Sequence, residues 1–439
     1  MRATFLTPGT GSYYCGACMR DNALVVELHR AGHEVHMLPM YLPLSLDEES
    51  IPELAETPVF FGGINVYLQQ KWSLFRKTPE WLDRWLNIPG LLRGAAKRSH
   101  MTSARDHGEM CLAMLRIEES GLRKELDKLL DWLEDHGKPE VLCLSTALQA
   151  GLIREVKKRL GIPVICFFQG EDSFLDGLPE PYRRDSWEEM GKRLQDADLL
   201  VAPSRYYAGL MEGRLGMPAG SIEVLPNGIN LEGMGPARPP SGPPVIGYLA
   251  RMIRDKGLEV LVDAFIALRR DLGHPDCRLA IAGTCTKGDE ALVAELKERL
   301  DRAGLGEAVE WRPNLSREEK LSFLQGLTLF SVPAVYPEAF GLYVVEALAS
   351  GVPIVQPETS SFPEFVEATG GGRLVPAGDA QALARMWSEL LADPDEIRAL
   401  GESGRRGAAT HYSVAAMKEG FTGMAERVLA TEAARRAKR

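Results

Sequence analysis

Short runs of valine, leucine and isoleucine alternate with longer stretches in which apolar residues recur every three or four positions, and this rhythm repeats almost from end to end. Continuous apolar runs suit strands buried on both faces, and the longer period suits helices that cover them, so the pattern predicts βα units winding parallel sheets. In the first half, strands are expected at 3–7, 34–38, 141–144, 164–168 and 199–202, with a helix at 21–30. Between 232 and 244 the chain turns to glycine and proline, which restrict regular pairing, and a linker is placed there. The second half restarts the rhythm with strands at 245–249, 278–282, 309–312, 329–332 and 353–355 and helices at 258–269, at 289–302 and from Gly341. From Asp379 onward the pattern is almost wholly helical and ends in a basic tail, 434–439, expected to be solvated and frayed. The predicted fold class is α/β, with two Rossmann-like, doubly wound parallel-sheet domains at 1–235 and 236–439. The terminal helices are free to pack back on the first domain. Ligands of such sheets lie at the carboxyl ends of the strands, so a cleft between the two domains is the expected site.

Composition narrows the partners. A formal net charge of -10 argues against nucleic acid as the main partner, because phosphate backbones need a clustered basic surface. No run of about 20 apolar residues is present and the N-terminus lacks the apolar core of a signal peptide, so a cytoplasmic protein is expected. Contact with the inner face of a membrane is left open. The seven cysteines are odd in number and several sit inside apolar runs, which reads as reduced and buried rather than disulfide-linked.

The strongest local signal is Pro337-Glu338-Ala339-Phe340-Gly341-Leu342-Tyr343-Val344-Val345-Glu346. A carboxylate precedes a helix start that carries glycine, where free N–H groups and the positive dipole end favour an anion and the missing Cβ lets a phosphate approach. Glu346 lies further along, where an acceptor-only side chain can meet vicinal ribose hydroxyls. The same spacing also fits an ordinary helix with an exposed glutamate. A second element shifts the balance: Arg251 and Lys256, in Gly247-Tyr248-Leu249-Ala250-Arg251-Met252-Ile253-Arg254-Asp255-Lys256-Gly257, follow the first strand of the second half. Arginine grips phosphate oxygens bidentately and lysine adds a point charge, so the two together can offset a diphosphate leaving group.

With these motifs the chain resembles the retaining GT-B glycosyltransferases of family 4. Glu338 to Glu346 is similar to that family's Glu-x7-Glu motif, and Arg251 with Lys256-Gly257 to its phosphate-binding residues. Pro203-Ser204, the stretch 224–230 and the stretch 370–376 also resemble family patterns, and the likeness covers essentially the whole chain. The resemblance implies transfer of a hexosyl group from a UDP- or GDP-sugar to an acceptor hydroxyl, with retention and without a cofactor or bound metal. Arg251 and Lys256 would hold the diphosphate, Glu346 the ribose, and Glu338 with the backbone of Phe340, Gly341 and Leu342 the donor sugar and phosphate. The leaving diphosphate would help deprotonate the acceptor, whether lipid, glycan or small molecule.

The chain departs from the family in places. Many members carry a catalytic histidine after a first-domain strand; here that stretch runs Phe167-Phe168-Gln169-Gly170-Glu171-Asp172. Gln169, Glu171 and Asp172 are therefore candidates for sugar or acceptor contact, and equally for capping the next helix. In the loop after the first strand, Gly11 and Gly16 are candidates for approach to phosphate or acceptor, while Cys15 and Cys18 fit a structural pair better than a metal site. Aromatic and cationic residues mix at 71–85, which suits an insertion packed over the first sheet, an acceptor groove or a membrane surface. Competing functions on the same fold are a nucleotide-sugar epimerase, a phosphorylase and a binding protein without turnover. An NAD enzyme is disfavoured, because no Gly-x-Gly-x-x-Gly fingerprint follows either first strand.

Overall fold

Among the described residues, two sheets of six parallel strands each form the framework. The first contains β1 (Arg2–Thr7), β2 (Glu34–Pro39), β3 (Val141–Leu144), β4 (Val164–Phe167), β5 (Leu199–Ala202) and β6 (Glu223–Val224) in the order 2-1-3-4-5-6. The second contains β7 (Val245–Leu249), β8 (Arg278–Gly283), β9 (Val309–Pro313), β10 (Leu329–Phe330), β11 (Ile354–Pro357) and β12 (Gly372–Val375) in the order 12-11-10-7-8-9. This is a computed structural model, and it describes residues 1–9, 16–42, 50, 59–61, 104–235 and 242–438. Both sheets are open and doubly wound, as the alternating pattern predicts. No helix among the described residues is long and apolar enough to cross a membrane.

Local chemistry explains the elements. Every residue of β3 and β4 is buried, which is why these strands read as unbroken apolar runs rather than as alternations. The helix Ile153–Leu160 buries Ile153, Val156 and Leu160 on one stripe, places Lys157, Lys158 and Arg159 in its last turn, and ends at Gly161 with φ 59°. The helix Arg317–Gln325 opens with a capping box, in which the Glu319 N–H donates to Ser316 Oγ and the Ser316 N–H donates to Glu319 Oε2 at 2.8 Å. Strand β10 stops two residues before the expected end, because the Val332 N–H donates to the Gln356 side chain and Pro333 has no N–H to continue the ladder.

The chain divides into two compact units, one of Met1–Leu225 with Met417–Arg439 and one of Pro226–Ala416. The division falls ten residues ahead of the boundary drawn at 235 from proline and glycine content. The segment after Pro226 is bonded within the second unit: the Ile229 N–H donates to Tyr412 O at 2.9 Å and the Val414 N–H to Ile229 O at 3.1 Å. At the other end, the helix Val414–Ala437 gives the first unit Phe421, fully buried with its ring 5.4 Å from that of Phe5 and 6.3 Å from that of Phe167. The basic tail differs from the expectation of fraying. It is helical to Ala437, Arg435 pairs with Asp198 at 3.0 Å, and Arg436 donates to Gly161 O. Exposed pairs of this kind add little each. The apolar seam at Phe421 is the main anchor, and Phe421→Ala should cost about 3–5 kcal/mol in urea unfolding followed by near-ultraviolet circular dichroism.

Candidate functional site

In the second sheet, β7 has β8 on one side and β10 on the other, so the connections leaving β7 and β10 diverge. The carboxyl ends of two such strands form the crevice in which open α/β sheets hold ligands. The loops that follow these two strands carry the Arg251 and Glu338 motifs.

After β7 the backbone turns at Arg251, whose carbonyl accepts from Tyr248 Oη at 2.9 Å. The Arg251 side chain is about half exposed and touches Asp289 at 3.4 Å. Burial would raise the Asp289 carboxyl, but donation from the Thr286 N–H at 2.8 Å, the Thr286 hydroxyl at 2.6 Å and Arg251 holds it below the usual range. Lys256 closes the one-turn helix Arg254–Lys256, and Gly257 follows at φ 73°. A Cβ on Gly257 would lie 1.8 Å from the Pro333 carbonyl oxygen, so glycine is required for the two loops to meet. The Val335 N–H and Tyr336 N–H both donate to Asp255 O, at 3.0 and 3.3 Å, and lock that contact.

Across this contact Lys256 Nζ donates to Glu338 Oε2, and the same oxygen accepts from Tyr343 Oη at 2.7 Å. The lysine ammonium also lies 5.5 Å from the centre of the Tyr343 ring. Burial and the neighbouring Glu338 charge push the Tyr343 hydroxyl well up, so it stays protonated and donating. Phe340 is buried edge-on against Phe365 and Tyr412, and its carbonyl accepts from Ser361 Oγ at 2.7 Å. Gly341 lies at φ 92° and caps the helix Leu342–Ala349 from outside rather than sitting in its first turn. The Val344 N–H donates to Gly341 O at 2.9 Å, and the positive end of the helix dipole at this turn is attractive to an anion. Glu346 is held by Lys320, with Nζ to Oε1 at 2.6 Å and both side chains largely buried.

The first-unit candidates are engaged differently. Glu171 is buried and works as a cross-link. Its Oε1 accepts from Thr146 Oγ1 at 2.7 Å and the Ala147 N–H at 3.1 Å, and its Oε2 from the N–H groups of Gln169 and Gly170 at 2.9 and 3.1 Å. Burial pushes its pKa above the usual carboxylate range, and these hydrogen bonds pull it back only in part. Asp172 accepts from the buried Tyr207 hydroxyl at 2.8 Å. Gly16 is the first residue of the helix Gly16–Arg30, and Cys18 is buried with its sulfur accepting from Thr7 Oγ1 at 3.3 Å. Gly11, Cys15 and the aromatic and cationic stretch at 71–85 lie outside the described residues. Arg251, Lys256, Glu338, Gly341 and Glu346 all lie in the second unit, where Lys256 meets Glu338, Arg251 meets Asp289 and Glu346 meets Lys320.

Sequence reasoning missed Lys320, Tyr343 and Asp289. Tyr343 stands inside the quoted motif and was passed over because helix spacing alone does not say that its hydroxyl turns back to Glu338. Lys320 and Asp289 are far from their partners along the chain, and no spacing rule links them.

The family model described as Glycosyl transferases group 1 matches residues 234–407, and that described as Glycosyltransferase Family 4 matches residues 111–232. The chain belongs to the GT-B glycosyltransferases of family 4. It is 28% identical over 248 residues to a GDP-mannose-dependent alpha-(1-6)-phosphatidylinositol monomannoside mannosyltransferase of Mycolicibacterium smegmatis, a match covering 53% of this chain and 62% of that protein. It is 30% identical over 251 residues to an MMP alpha-(1->4)-mannosyltransferase of Mycolicibacterium hassiacum, covering 56% and 58%. The matches therefore span about six tenths of these relatives' length. Among solved structures, sucrose-phosphate synthase from Thermosynechococcus elongatus superposes with a TM-score of 0.71 at 18% identity, over 98% of this chain and 100% of that one. Anabaena HepE in complex with UDP superposes with a TM-score of 0.67 at 16% identity, over 97% and 100%. These likenesses show the fold.

Removing one partner of the Lys320–Glu346 pair leaves a largely buried charge without its counter-charge. Lys320→Met should lower stability by about 2 kcal/mol in urea melts, and Lys320→Met with Glu346→Gln should recover part of that loss.

Proposed function

We propose that this family member transfers a hexosyl group from a nucleotide-diphosphate sugar to an acceptor hydroxyl with retention of configuration, the diphosphate being held by Arg251 and Lys256. The observation that carries the reading is the meeting of Lys256, Glu338 and Tyr343 beside the Gly341-capped helix start. Lys256 and Glu338 meet beside a helix start, and Arg251 follows β7 at the strand ends where open sheets of this winding bind ligands.

The chemistry follows from the charges. As the bond from the sugar's anomeric carbon to the diphosphate breaks, its electron pair leaves with the diphosphate oxygen and negative charge builds there. Arg251 and Lys256 stabilise that charge more strongly in the transition state than in the ground state, which is the condition for catalysis. The acceptor oxygen forms its bond to the anomeric carbon on the same face, and its proton passes to the departing diphosphate. Without a donor, Lys256 is neutralised by Glu338. An incoming diphosphate competes for Lys256, and the Glu338 carboxylate so released accepts hydrogen bonds from sugar hydroxyls. Glu346, oriented by Lys320, receives the ribose hydroxyls. The cationic role is filled by side chains, so the reading needs no metal ion. A uridine or a guanosine nucleotide fits it; one relative's name gives GDP-mannose, and one fold neighbour was solved with UDP.

Titrations with UDP, GDP and ADP and their glucose, mannose and N-acetylglucosamine conjugates, read as shifts in melting temperature, should single out one base. Glu346→Ala should abolish that shift. Arg251→Ala should lower turnover of the matching donor by roughly 100- to 1000-fold, measured as released nucleoside diphosphate. Undiminished turnover in Arg251→Ala would sink the assignment, and no shift with any nucleotide would leave a protein without transferase function.

A further inference from the structure

The first unit contains a cavity of about 350 Å³ at the carboxyl ends of four adjacent strands. Pro8 follows β1, Tyr41 follows β2, Thr146 follows β3 and Gln169 follows β4, and all four line it. Its size falls within the range of small-molecule sites, and its position is where an open sheet of this winding binds ligands. Its chemistry is unlike that of the second-unit site. The wall is built from Met110, Met114, Leu148 and Phe174, and Phe174 is 38% exposed although it is a large apolar side chain. The back of the cavity is rigid: a Cβ on Gly151 would lie 2.0 Å from the Met114 carbonyl oxygen, so the turn Ala147–Leu152 packs hard against the helix Ala104–Leu115.

Polar groups on this wall are already spoken for. Thr146 donates to Glu171 and accepts from the Leu148 N–H, and Glu171 receives donors on both oxygens. His107 and Gln169 also have partners. The Tyr41 hydroxyl, by contrast, has no hydrogen-bond partner among the described residues. A sugar ring brings several hydroxyls that each need a partner, and leaving them unmatched in such a wall is costly. An alkyl chain needs none, and the flexible methionines adapt to its conformers.

We propose that this cavity binds the alkyl part of an amphipathic alcohol, the acceptor, with the Tyr41 hydroxyl as its hydrogen-bonding handle. The acceptor role rests on the transferase reading above; the ligand class rests on the cavity itself. The test is a ligand-observed NMR titration of the full chain with straight-chain primary alcohols from butanol to decanol, with maltotriose as the polar probe. Affinity should rise about fourfold per added methylene until the cavity is full, and maltotriose should not compete. Tyr41→Phe should weaken binding roughly three- to tenfold across the series without changing the chain-length slope. Leu148→Trp should fill the cavity and shorten the longest alcohol that binds; Phe174→Ser, at an exposed position, gives a second variant in which the slope should fall. A flat chain-length response, or maltotriose binding in place of the alcohols, overturns the proposal. UDP and GDP titrations on the same proteins keep the two readings apart. Failure of the alcohol series with intact nucleotide binding overturns the cavity assignment, whereas failure of nucleotide binding in the unmodified chain overturns the transferase reading.

Discussion

Gly257 lies against the Pro333 carbonyl at a distance no side chain would tolerate, and the second-unit site depends on that approach. The loops after β7 and β10 come from strands that are neighbours in the sheet but lie more than seventy residues apart in the chain. Their meeting puts Lys256 against Glu338, lets the Asp255 carbonyl take two N–H groups from the opposite loop, and fixes the direction from which Gly341 starts its helix. The glycine at 257 is held in the left-handed region, as is the one at 341, so both turns are reserved for a residue without a Cβ. Charge placement in this half of the molecule is thus a consequence of backbone packing.

That origin explains which parts were legible in the sequence. The parallel, doubly wound sheets follow from strand runs that are apolar throughout, because strands covered on both faces leave no alternation to misread. Arg251, Lys256, Glu338 and Gly341 were legible because each sits at a strand end or helix start, where spacing along the chain and position in space are the same information. Lys320 was not. Its contact with Glu346 joins two helices separated by β10 and its loop, and a lysine four residues into an amphipathic helix reads as a solvated charge until the partner is seen. The same holds for the tail, whose arginines looked solvated until Phe421 brought their helix onto the first unit. The boundary near 226 escaped for a related reason: proline content marks where the chain cannot pair regularly, whereas the unit boundary is set by the bonds that Ile229 makes with residues near 412.

The two units use a buried and a half-buried carboxylate in opposite ways. Glu171 is saturated by backbone and hydroxyl donors that are parts of its own unit's loops, so displacing them would open the structure around β3 and β4. Glu338 is balanced by a lysine on a flexible stem and a tyrosine hydroxyl. A group with its own negative charge can take the lysine away without unfolding anything. Both carboxylates are satisfied in the resting protein, yet only the second can exchange partners at small cost, because its donors are side-chain tips rather than backbone.

This difference bears on how a chain with a net charge of -10 could hold the diphosphate proposed above. Long-range repulsion from scattered surface acids is screened within about 8–10 Å at physiological ionic strength, so the local arrangement decides. Arg251 is oriented by Asp289, whose carboxyl is itself held ionised by Thr286. Lys256 is oriented by Glu338. Each cation is kept in place by an acid that lowers the cost of its partial burial, and in the proposed function a diphosphate with two negative oxygens would outcompete the single carboxylate charge it displaces. In the proposed function the acids beside the cations thus belong to the diphosphate site, since without them the same arginine and lysine would relax into solvent and lose the preorganisation on which electrostatic stabilisation depends.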